Sequence, residues 1–141
     1  PFKIYRFQTM KTNAPNWATG DLENPEQYIT KVGAFMRKTS IDELPQLWNV
    51  LIGDMSFVGP RPERKYYIDQ IMENDPNYVL IYEMRPGLTS EATLYNGYTD
   101  NMEKMLRRLH MDIHYLENRS LWLDFCIVVK TGISIVSGKK F

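Results

Sequence analysis

Residues 37–62 read RKTSIDELPQLWNVLIGDMSFVGPRP, and the reading of the rest of the chain depends on this stretch. Two adjacent carboxylates, Asp42 and Glu43, follow Ser40, with Arg37 and Lys38 before them and Arg61 after them. Ser40 and Glu43 have the spacing of a capping box, in which the serine oxygen and the glutamate carboxylate each satisfy a backbone N–H at a helix start. On that reading both acids are ordinary first-turn residues at the positive end of a helix dipole. Pro45 opposes it. Proline suits a first turn but clashes deeper in a helix, so a helix that begins at Pro45 leaves both acids before it and removes the box. Leu44, Leu47, Trp48 and Leu51 recur at helical spacing, which predicts one buried apolar face and a rigid element carrying the acids. Gly59-Pro60-Arg61-Pro62 predicts a stiff turn presenting an arginine, whose planar fork suits phosphate oxygens. Acids at a helix start beside arginines point toward a phosphate and a metal ion.

The same residues resemble the signature of the bacterial sugar transferases, the monotopic phosphoglycosyl transferases. The likeness runs from Gly33 through Pro62. It is carried by Arg37, by the Ser40-Ile-Asp-Glu-Leu-Pro-Gln-Leu-Trp-Asn-Val-Leu51 run, by Gly53-Asp-Met-Ser56 and by Val58-Gly-Pro-Arg-Pro62. Shorter matches lie at Arg6-Phe-Gln-Thr-Met10, at Arg85-Pro-Gly-Leu-Thr89, and in a late motif of Asp112, Tyr115, Asn118, Ser120 and Asp124. The chain departs from the pattern at Gln8 and at Ser90-Glu-Ala-Thr93.

The resemblance implies transfer of a sugar-1-phosphate from a nucleotide-sugar donor, uridine-linked, to a polyprenyl phosphate acceptor, starting assembly of a surface glycan. Asp42 would be the nucleophile that forms a covalent phosphosugar, and Glu43 would help bind Mg²⁺, whose hard oxygen ligands suit a carboxylate. Arg37 and Arg61 would hold phosphate oxygens, and Pro60 and Pro62 would border the nucleotide. Arg6, Arg85 and Asp112 are carried over as further substrate contacts. Family members have a re-entrant membrane helix before the equivalent of Phe2, so the resemblance implies a catalytic domain at the cytoplasmic face of the bacterial inner membrane, with its anchor missing from this chain. Membrane lipid is then an expected partner, and a homodimer is compatible with the family.

Length and composition bound the rest. The 141 residues predict one domain with a core that needs no disulfide. Lys plus Arg and Asp plus Glu stand at 17 each, so no net field argues for nucleic acid. The single Cys126 sits among apolar neighbours and reads as a small buried hydrophobe in a reducing compartment. His110 and His114 have i, i+4 spacing without a third ligand in view, which favours a surface or core pair over a metal site.

In chain order, the alternation from Phe2 to Met10 predicts a short strand. Residues 11–24 read as a loop, and Asn24-Pro25 predicts the start of a helix that runs to Arg37, with Gly33 allowing close packing. After the signature helix, residues 54–58 predict an extended piece, Pro62 another helix start and Asp75-Pro76 a capped helix start. Tyr66, Tyr67, Tyr78 and Tyr82 read as core-edge or membrane-facing residues. Tyr95-Asn-Gly-Tyr98 predicts a turn. Asp100 with Glu103 predicts a capping box for a helix to about Asn118, and Ser120 caps a final apolar helix followed by Lys139-Lys140. Asp124 and Lys130 interrupt its apolar character, so it reads as buried or lying at an interface rather than spanning; the terminal lysines suit anionic lipid. The fold class is α+β, predominantly helical, with a few short strands near the active site. Two rivals stay open: a non-catalytic membrane-surface binding module, and a nucleotidyl transferase that releases pyrophosphate.

Overall fold

The computed structural model describes residues 2–15, 24–96 and 101–137. It is α+β and predominantly helical, with six α-helices, several 3₁₀ segments and two short strands among these residues. The chain divides into two compact units, residues 1–49 and 50–141.

In the first unit, residues 2–9 carry no regular secondary structure and do not form the expected strand. Among the described residues their one ladder contact is an antiparallel bridge, Met10 with Ile29. Side chains and loops take over the backbone partners that a neighbouring strand would supply. Asn49 Nδ2 donates to Lys3 O at 2.7 Å, and Tyr5 N donates to Asn49 Oδ1 at 3.1 Å. Phe7 N donates to Asp42 O at 3.0 Å, and Thr9 O accepts from Thr30 N at 3.1 Å. Asn49 is fully buried, as a side chain spanning two backbone groups has to be.

The helix expected from Asn24 is two elements. A 3₁₀ turn, Pro25–Gln27, begins at Pro25 with no side-chain bond from Asn24. Helix α1, Lys31–Lys38, is capped by Thr30, whose Oγ1 accepts from Gly33 N at 2.9 Å. Gly33 is needed for contact: a Cβ there would lie 2.0 Å from Thr9 O. A 3₁₀ turn, Ile41–Glu43, follows, and then α2, Gln46–Leu51, which crosses the division between the units.

The expected apolar face of α2 is reversed. Leu44, Leu47, Trp48 and Leu51 are all exposed, Leu51 by 74%. Gln46 and Asn49 are the buried residues of this helix. Periodicity located the two faces correctly, but the polar face is the one with hydrogen-bonding work to do inside.

In the second unit, strands β1, Ser56–Val58, and β2, Gly87–Thr89, pair in parallel, Ser56 opposite Gly87 and Val58 opposite Thr89. Between them run α3, Lys65–Asn74, and a 3₁₀ segment, Pro76–Glu83. Asp75 caps the latter by accepting from Asn77 N, as its sequence predicts. The remaining helices are α4, Glu91–Asn96, α5, Met102–Asn118, and α6, Leu121–Val136. Asn101 caps α5, accepting from Lys104 N at 2.9 Å; Asp100 of the expected capping box lies outside the described residues, as do Gly97 and Tyr98 of the expected turn and the Lys139-Lys140 pair. Tyr95 and Asn96 belong to α4. Ser120 caps α6 through Leu123 N.

Ile71, Tyr78, Ile81 and Leu109 form one buried cluster, and Val58, Tyr115 and Ile127 another. Tyr66 and Tyr82 are exposed. Within α6 only Ile127 is fully buried, while Leu121, Trp122, Phe125 and Ile133 stay open to solvent. Among the described residues no helix is long and apolar enough to cross a membrane.

Candidate active site

The acidic pair is placed by an unusual backbone step. Ser40 has φ of 56°, the one left-handed non-glycine residue among those described. A non-glycine residue there costs roughly 1 kcal/mol. Its side chain makes no cap bond, so the capping-box reading fails. The step turns the chain out of α1 and into the 3₁₀ turn, setting Asp42 and Glu43 ahead of Pro45 and α2.

Asp42 is half-buried. Burial pushes its carboxyl group above the ordinary aspartate value, the Glu43 carboxylate adds to the rise, and Arg6 and Arg37 oppose it. Arg6 Nη2 donates to Glu43 Oε1 at 2.5 Å. With the Gln46 amide oriented so that its oxygen faces the guanidinium, Oε1 accepts from Arg6 Nε at 2.9 Å and Nη2 at 3.3 Å. Arg37 Nε donates to Thr9 Oγ1 at 2.8 Å. The first unit therefore gathers Arg6, Arg37, Asp42 and Glu43 into one electrostatic group.

The second unit holds the other residues singled out by sequence. Pro60, Arg61 and Asp112 line one small cavity together with Glu63 and Arg108. Asp112 is only 4% exposed, so it is not part of a solvated helix face. Burial, reinforced by Glu63 and opposed by Arg108, pushes its pKa up to about 7. Pro62 stands next to the Arg61 side of this turn in sequence and is half-buried. Arg85 lines a different feature, a groove of about 480 Å³ that it shares with Arg119, Tyr115 and Asp124. His110 and His114 do not form a metal site among the described residues; His110 Nε2 lies 3.2 Å from Asp75 Oδ2. Cys126 is half-buried on α6.

Sequence reasoning missed four residues. Gln46 and Asn49 sit three apart on α2, and their polar character inside an otherwise apolar pattern was the available signal. Glu63 and Arg108 pair across 45 positions, which no local pattern can show.

The donor set fits Mg²⁺. No group of three or more metal-binding side chains occurs among the described residues, but this ion is commonly held by one or two carboxylates plus substrate phosphates. Glu43, a half-buried carboxylate beside Asp42, is a donor of that kind, and one of its oxygens also accepts from Arg6 Nη2.

Comparison with known proteins bears on this arrangement. Residues 1–138 match the family model described as Bacterial sugar transferase. The chain belongs to that family. It is 39% identical over 137 residues to a UDP-N-acetylgalactosamine-undecaprenyl-phosphate N-acetylgalactosaminephosphotransferase of Aeromonas hydrophila, covering 97% of this chain and 32% of that one. It is 38% identical over 133 residues to the UDP-glucose:undecaprenyl-phosphate glucose-1-phosphate transferase of Escherichia coli K12, covering 93% and 29%. A Caulobacter vibrioides protein of the same name is 40% identical over 139 residues, covering 97% and 52%. The chain thus spans about a third to a half of these curated relatives.

Proposed function

We propose that this chain carries the catalytic residues of a phosphoglycosyl transferase that moves a sugar-1-phosphate from a uridine diphosphate sugar to a polyprenyl phosphate. The observation that supports it best is the placing of Asp42 and Glu43 together on the 3₁₀ turn ahead of α2, with Arg6 bound to Glu43. The relatives' names give the donor and acceptor classes.

In the first step an Asp42 carboxylate oxygen bonds to the phosphorus nearer the sugar. The bond from that phosphorus to the bridging oxygen breaks, and its electron pair leaves with uridine monophosphate. In the second step an oxygen of the polyprenyl phosphate bonds to the same phosphorus and the Asp42 carboxylate is released. Splitting the transfer in two is covalent catalysis by a carboxylate. Glu43 would help hold Mg²⁺, which would neutralise charge on the diphosphate when bound. Arg37 and Arg61 take phosphate oxygens, and Pro60 and Pro62 border the nucleotide, the positioning and electrostatic terms that dominate phosphoryl transfer. Asp42 reacts as its anion, a form that burial and the Glu43 carboxylate oppose and that Arg6 and Arg37 favour. The native setting is the cytoplasmic face of the inner membrane, where the product starts a surface glycan.

One observation favours a second reading. The apolar side chains that α6 leaves open would equally serve a non-catalytic module resting on a membrane surface. Intact-mass analysis of the full-length protein with Mg²⁺ and a panel of uridine diphosphate sugars separates the two. A phosphosugar adduct in the wild type, absent in Asp42→Asn, is the expected result. No adduct and no nucleotide release with any donor overturns the enzymatic reading, and pyrophosphate release in place of uridine monophosphate redirects it to nucleotidyl transfer.

A further inference from the structure

The turn that carries Arg61 is tied down at both ends. At its start, Gly59 N donates to Thr89 O at 3.0 Å and Gly87 N donates to Pro60 O at 2.9 Å. The two backbones approach so closely that a Cβ on Gly59 would lie 2.4 Å from Arg85 O, and one on Gly87 would lie 2.2 Å from Gly59 N. At its end, Glu63 Oε1 accepts from Arg108 Nη1 of α5. The side chains of that pair are only 20% and 11% exposed, Glu63 and Arg108 respectively. Asp112, one helical turn along α5, acts electrostatically on the same pair. Arg61, Glu63, Arg108 and Asp112 line one small cavity.

Between these anchors the chain has little freedom. Pro60 and Pro62 each fix φ on either side of Arg61. With those two angles fixed, fewer rotations remain between Glu63 and Arg61 to absorb a shift of the Glu63 anchor. Buried ion pairs are poor sources of net stability, because desolvation offsets their attraction, but their geometry can fix one arrangement.

We propose that Glu63 and Arg108 are positioning residues for Arg61: their ion pair pins the far end of the Pro60-Arg61-Pro62 turn to α5 and sets where the Arg61 guanidinium meets diphosphate oxygens. The inference rests on the phosphate role assigned to Arg61 above. Neither Glu63 nor Arg108 touches substrate in this scheme. A purely structural pair would support the fold of the second unit without acting through Arg61.

The test is a thermodynamic cycle on the full-length protein, read as the affinity for uridine diphosphate in Mg²⁺ by titration calorimetry. The double variant Glu63→Gln/Arg108→Met removes both charges at once, so neither is left buried and alone; circular dichroism and thermal melting check that it folds. Arg61→Ala should weaken binding by roughly tenfold or more, the effect of losing a charge-assisted hydrogen bond. The double variant should weaken it roughly three- to tenfold in the native background and leave it unchanged in the Arg61→Ala background, the coupling expected of groups that act as one unit. Equal losses in both backgrounds, or no loss from the double variant, overturn the positioning role. No loss from Arg61→Ala itself removes the phosphate role beneath it, a different outcome. If the double variant does not fold, Glu63→Gln takes its place: it keeps the side chain's shape and removes the charge that holds Arg108, and unaltered affinity there overturns the proposal.

Discussion

Arg6 donates to the Glu43 carboxylate across 2.5 Å, bridging 37 positions of sequence. The bond ties the N-terminal segment to the acidic turn and holds a positive charge against the pair that is proposed to carry the chemistry.

Because the Arg6 and Glu43 side chains are 43% and 24% exposed, their attraction should contribute little to stability, about 1 kcal/mol at most. Arg6→Gln is therefore expected to shift the urea midpoint slightly while reducing uridine monophosphate release by roughly tenfold or more, as loss of an electrostatic contact in phosphoryl transfer does. A large stability loss with proportionate activity loss would assign Arg6 to the fold alone.

Ser40 separates two accounts of the acidic turn. A capping box predicts that Ser40→Gly loses up to a few tenths of a kcal/mol. The left-handed backbone at φ 56° with no cap bond predicts the reverse, a gain of roughly 0.5–1 kcal/mol as the Cβ penalty is relieved. Chemical denaturation of the two proteins decides it.

Gly33→Ala should be costly for a reason unrelated to helix propensity, which favours alanine. Its Cβ would meet the Thr9 carbonyl oxygen at 2.0 Å, and backbone cannot yield as a flexible side chain does. We expect a loss of about 1–3 kcal/mol, the range for overpacking. Donor turnover should fall beyond what the unfolded fraction explains, since Thr9 also receives Arg37.

Helix α2 offers an inverted hydrophobicity test. Asn49→Ala strands the Lys3 carbonyl and the Tyr5 N–H and is expected to cost about 1–3 kcal/mol. Leu47→Gln on the exposed face should stay within about 0.5 kcal/mol. Thermal melts in which the leucine variant is the weaker one would refute the placement of these faces.

Asp112 sets a pH dependence. Its pKa is raised from 3.8 to about 7, chiefly by burial. Between these values the folded protein holds a proton that the unfolded chain has released, so stability is full below 3.8 and falls as pH rises toward 7. Each pKa unit corresponds to about 1.4 kcal/mol. Asp112→Asn has no proton to lose, and its melting temperature should not show this decline. An identical pH profile in both proteins would remove Asp112 as its source.

How much of this was legible depended on range. Pro45 and Gly59-Pro60-Arg61-Pro62 declare themselves locally, because proline restricts its own φ and its neighbour whatever surrounds it. Asp75 and Ser120 likewise cap within three residues of themselves. The acidic pair, Arg37 and Arg61 stood out for the same reason, as residue types at short spacing. The strand expected from Phe2 to Met10 did not form, because alternation says which side chains share a face and nothing about which partner will supply the hydrogen bonds.

The sequence by itself determined the family and the mainly helical class, and it singled out the adjacent carboxylates Asp42 and Glu43, all from contiguous residues. Only the tertiary structure decided that α2 buries Gln46 and Asn49 in place of its leucines, that Arg6 binds Glu43, and that Glu63 pairs with Arg108. Each of these is a hydrogen-bond partnership across a long chain separation. A polar group withdrawn from water must find a partner, but which partner it finds is fixed by the path of the backbone.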